Sequence, residues 1–158
     1  TTVLAKKSLM LDGFRLGFTG KEGKYLISDF PTWLHLLTQG NMMYLMEPLS
    51  QFRRHENNDQ NRPLTMIRGT VCWALCIRAA IEQNVFLQDE NTRRQAIEGW
   101  LRKVAPIIEW GWEIPELREK KEVQDLRTVF DAMSKALSHS CNIDFNIDTT
   151  VVLQPMDD

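Results

Sequence analysis

The stretch PLTMIRGTVCWALCIRAAIEQ, residues 63–83, carries the strongest structural signal in the chain. Leu64, Ile67, Val71, Ala74 and Leu75 recur at the 3.6-residue period of a helix. Cys72, Trp73, Cys76, Ile77, Ala80 and Ile81 cover most of the remaining surface. A helix apolar nearly all round belongs in the middle of a core. Pro63 suits the first turn, and Asn61 is placed as a cap.

Upstream, the polar run His55 to Arg62 has no apolar residue and reads as a solvated loop. Ser28 or Asp29 caps an earlier helix that has Pro31 in its first turn and stops at Gly40, with Trp33, Leu34, Leu36 and Leu37 buried. Before it, Phe14, Leu16 and Phe18 alternate with Arg15 and Gly17 between two turn signals, the pattern of a β-hairpin.

Downstream, Asp89 or Asn91 caps a helix with Ala96, Ile97, Trp100, Leu101 and Val104 on one stripe. Pro106 is expected to end it or to open a turn through Trp110-Gly111-Trp112. Pro115 opens a last long helix with Leu126, Val129, Phe130, Met133 and Leu137 inward and 116–122 facing water. From Ile143 the period becomes two, and Ile143, Phe145, Ile147, Thr149, Val151 and Leu153 read as one face of a strand. The expectation is therefore a mostly α fold with a small antiparallel β element (α+β). About five helices surround the central helix 63–83, and the N-terminal hairpin pairs with the strand 143–153.

The length of 158 residues, without an internal repeat or long linker, fits one globular domain over 1–158. A net charge of −2 provides no global field for nucleic acid or an anionic membrane. No membrane span is expected: the run Val71 to Ile81 is short of the roughly 18 residues required and is interrupted by Arg78. Three cysteines at no framework spacing favour a reducing compartment, cytoplasmic or nuclear.

Of the chemical constellations, none forms a phosphate loop, a zinc-protease helix or a nucleophile elbow. Asp144, Asn146 and Asp148 have the spacing that opens a calcium loop. Thr149 and Pro155 stand where such a loop needs Gly and Glu, so the wet face of a strand explains them better. Cys72, Cys76, His139 and Cys141 offer four zinc-type ligands. The cysteine pair lies inside the most apolar helix, however, where thiols pack as small hydrophobes, and no metal or other cofactor is expected.

Two surfaces remain. Trp110 and Trp112, between Pro106 and Pro115, are either core residues or anchors for a protein partner. The interface reading expects at least one ring exposed. Arg53, Arg54, Arg62 and Arg68 are a basic cluster suited to phosphates, with acidic Glu56 and Asp59 interleaved. The expected function is a non-catalytic protein-interaction or assembly domain that binds a protein partner or itself, in the style of viral structural or host-interaction proteins. The alternatives are an RNA- or other nucleic-acid-binding domain using those arginines, and an enzyme whose site is dispersed in sequence.

Overall fold

The structure is a computed structural model describing residues 33, 34, 36, 37, 40, 62–139 and 142–147. Four helices have defined bounds: α1 Pro63–Glu82, α2 Glu90–Glu113, α3 Pro115–Arg118 and α4 Lys121–His139. Trp33, Leu34, Leu36 and Leu37 are also helical and half-buried, and Leu34 packs against Ala79 and Ala80 of α1.

α1 has ten buried residues, more than either long neighbour, as its apolar circumference requires. By length and composition alone it is apolar enough to cross a membrane, and burial against α2 and α4 accounts for the same pattern. The core is built on Ile67, Val71, Cys72, Ala74 and Leu75 of α1, Ile97, Trp100 and Val104 of α2, and Val123, Leu126, Val129 and Met133 of α4. Trp100 is fully buried and meets Phe130 with ring centroids 6.4 Å apart. Its indole N–H donates to the Thr70 carbonyl at 3.1 Å, available because the Trp100 ring lies against α1. The burial therefore leaves no indole donor unpaired.

α1 ends in a Schellman arrangement: Val85 N–H donates to Ala80 O and Asn84 N–H to Ile81 O, with Asn84 at φ 54°. Val85 completes the motif by packing on Ala80. Asp89 then caps α2, its side chain accepting from Thr92 N at 2.9 Å, and these bonds hold its carboxyl below the usual range.

Four sequence expectations are corrected. The antiparallel β element is not seen, for the described residues contain helices and no strand. The hairpin segment lies outside the described residues, as do residues 148–153 of the expected strand. Residues 142–147 have no secondary structure, yet Ile143 and Phe145 are buried while Asp144 and Asn146 are exposed. The alternation thus reports burial correctly but not a strand partner. A side chain takes that place: Arg78 Nη1 donates to the Phe145 carbonyl at 3.0 Å, and its guanidinium sits 4.2 Å from the Phe145 ring centroid.

Second, α2 runs through Pro106 without ending. The ring is on the exposed face, as is Arg102, whose carbonyl loses its intrahelical donor to the proline. Buried Val104 and Gly111 on either side keep the helix docked. Pro106→Ala should therefore raise stability by about 1–3 kcal/mol in urea unfolding, the helix-interior cost of proline reduced by its stiffening of the unfolded chain.

Third, Pro115 opens a single turn, not a long helix. Ile114 is held extended ahead of the proline, α3 stops at Arg118, and Gln124 Nε2 donates to the Arg118 carbonyl at 2.7 Å across the break. Fourth, the restart at Lys121 turns Glu122 inward, where it is buried against Arg68.

Candidate interaction surface

A helix gives Trp110 and Trp112 a relation that a loop would not. At 3.6 residues per turn, two positions are about 200° apart, so the rings leave α2 on opposite flanks. Both are half-buried, so neither ring is exposed as the interface reading expects of at least one, and Trp112 packs on the core cluster. Between them, Gly111 faces α1 and α4: a Cβ there would lie 3.7 Å from Val123 Cγ2 and 3.8 Å from Ile67 Cδ1. The expectation of a proline-restrained loop is replaced by a rigid helical mount.

Trp112 is the better furnished of the two. The Arg127 guanidinium of α4 lies 4.4 Å from its ring centroid and that of Arg118 lies 5.5 Å away. Arg118 Nε also donates to the Trp112 carbonyl at 3.0 Å. The three elements α2, α3 and α4 thus converge on one aromatic ring with two cations. A guanidinium stacked on a ring keeps its in-plane N–H groups available, the geometry that binds a carboxylate through two parallel bonds. Neither arginine has a carboxylate within ion-pair distance among the described residues. Elsewhere Arg68, Arg78, Arg94, Arg102 and Lys121 each do. Sequence reasoning missed Arg118 and Arg127 because six and fifteen residues separate them from Trp112; only the α2–α3–α4 turns bring them together.

The arginines singled out for phosphate are not brought together as a patch among the described residues. Arg53 and Arg54 lie outside those residues. Arg62 is exposed just before α1. Arg68 is committed to the interior: its Nη2 meets Glu122 Oε1 at 2.6 Å and its Nε meets the same oxygen at 3.2 Å. Burial would push the Glu122 carboxyl up, but the bond to Arg68 and its charge outweigh burial and hold it below the ordinary value.

Cys72 and Cys76 are both buried in α1, and burial, with Cys72 adjoining, pushes the Cys76 thiol up to about 12. Such a thiol stays protonated at neutral pH and is a poor nucleophile or ligand. His139 is exposed at the end of α4, its Nδ1 3.1 Å from the Lys135 carbonyl, and Cys141 lies outside the described residues. Among the described residues no three His, Cys, Asp or Glu side chains converge as metal ligands.

A cleft of about 190 Å³ lies between Ile81 of α1, Arg93, Arg94 and Ile97 of α2, and Leu137 of α4. Its cations are spent on the scaffold. Arg93 Nε donates to the Leu87 carbonyl at 2.5 Å, and Arg94 Nε meets Glu98 Oε1 at 3.0 Å.

No family model, no curated protein and no solved structure matches this chain.

Proposed function

We propose that the chain is a non-catalytic protein-interaction or assembly module, working in a reducing compartment, with the Trp112 surface as its anchor. The observation that supports this is the convergence of Arg118 and Arg127 on a half-buried Trp112 ring carried by a rigid helix. Trp and Arg are the residues most enriched at binding hot spots, and a prearranged pair loses little side-chain entropy on binding. The ring lies mostly on its own core, so the guanidinium edges and the exposed ring margin are the contact.

The experiment is site-specific photo-crosslinking in the native cells. A benzophenone amino acid replaces Glu109, which is exposed one turn before Trp112 on α2, and in a second protein replaces exposed Gln95 near the start of the helix. The Glu109 position should give a discrete protein adduct and the Gln95 position little or none, because benzophenone inserts only into C–H bonds within reach of its ring. Equal or absent adducts at both positions would refute the assignment.

A further inference from the structure

The Trp112 surface carries a second, opposite set of charges. Glu109 and Glu113 stand one helical turn apart on the exposed side of α2, and Glu116 and Glu119 are exposed on and just after α3. None of the four has an ion-pair partner among the described residues, although Arg118 and Arg127 are close by in the fold. The arginines are held on the Trp112 ring and carbonyl instead. Glu113 directly follows Trp112, and Glu116 and Glu119 flank Arg118 with exposed Lys120 next to them, so carboxylates border the arginine-bearing ring without an ion pair to it among the described residues.

This arrangement selects its partner by charge. A polyanion such as nucleic acid attracted by two guanidiniums meets four carboxylates beside them, and a uniformly acidic peptide meets the same repulsion. The matching surface presents carboxylates opposite the arginines and cations opposite the glutamates. A second copy turned through a two-fold axis meets this requirement when the arginines of each copy lie opposite the glutamates of the other, since an isologous contact makes every such pairing twice. Resting on the reading of Trp112 as the anchor, we infer that the partner is a second copy of this chain. Arg118 and Arg127 of one copy face the Glu109–Glu113 strip of the other across the two Trp112 rings.

The test is sedimentation equilibrium of the full chain from low micromolar to about 1 mM, the range in which an interface of modest size associates. The parent should dimerise, and raising salt from about 50 to about 500 mM should weaken it roughly tenfold, as expected for rim charges. The variant Arg118→Glu with Arg127→Glu should weaken the dimer at least about 100-fold, since each altered contact occurs twice. Glu109→Arg with Glu113→Arg, at exposed positions that support nothing in the core, should do the same.

Mixing these two variants restores complementarity and should regenerate a dimer containing one of each. If the arginine double variant loses its fold by circular dichroism, Arg127→Glu alone takes its place in the mixture. A parent that stays monomeric to about 1 mM overturns the inference, and so does a dimer indifferent to both charge reversals. A monomer that still gives the Glu109 adduct with a different protein overturns self-association while leaving the Trp112 surface in its role.

Discussion

Ala74→Asp should leave the chain without a cooperative unfolding transition. Ala74 has no exposed surface and sits on α1 among Val71, Leu75 and the side chains of α2 and α4. The substitution adds a carboxylate where the polar groups one turn away, the Trp100 indole N–H and the Thr70 hydroxyl, already donate to backbone carbonyls, so the group must either ionise in an apolar core or take a donor from an existing bond. Either course costs several kcal/mol, and the larger side chain also overpacks the helix contact. The total is about 5 kcal/mol or more, comparable with the whole stability of a domain this size. Circular dichroism during a urea titration is the check. A sigmoidal transition within about 1 kcal/mol of the parent would mean that α1 is not the axis of the fold.

The second large effect is expected at Arg68. Arg68→Ala removes the only ion-pair partner that Glu122 has among the described residues, and the Glu122 side chain is 10% exposed. A carboxylate left buried without its cation should cost about 2–4 kcal/mol, near the lower end for a broken buried pair because the site touches water. Glu122→Gln should cost less, since a neutral amide can still accept from Arg68. The pair also has a pH signature. Because the Glu122 carboxyl is held below its ordinary value of 4.5 in the folded state, its contribution is present above that value. It is lost as pH falls through the lower folded-state value, where the native carboxylate must take up a proton. Urea midpoints measured from neutral pH down to about pH 3 should thus fall less steeply for Glu122→Gln than for the parent. Superimposable profiles would contradict the assignment. A phosphate-contacting Arg68 would behave differently: its removal would weaken nucleic-acid affinity and leave the urea midpoint near the parent's.

The sequence carried the helical core clearly and its embellishments poorly, for identifiable reasons. The buried circumference of 63–83 and the stripes around Trp100 and Leu126 are periodic signals, and periodicity records which side chains leave water. It does not record what the backbone bonds to. At Ile143 and Phe145 the alternation marked the buried side chains correctly, yet Arg78 satisfies the Phe145 carbonyl where a strand was expected. Pro106 shows the converse: a local breaker signal was overridden because the packing of Trp100, Val104 and Gly111 holds both halves of α2 in line. Glu122 could not be assigned inward from a charged run, since its partner lies 54 residues earlier. The same distance problem hid the Trp112 surface. Trp112 was conspicuous in sequence, but its actual neighbours, Arg118 and Arg127, arrive only once α3 and α4 fold back.

The central claim, that the Trp112 surface exists for contact and not for stability, is tested most directly through Arg127. This arginine is exposed and its guanidinium lies over the Trp112 ring, so Arg127→Ala removes about 0.5–1 kcal/mol of cation–π stabilisation and little else from the fold. Measured together, the melting temperature should fall by no more than about 5 °C, while the photo-adduct at position 109 should drop at least about tenfold. An adduct of unchanged yield, or a large loss of stability with no separate loss of contact, would contradict it.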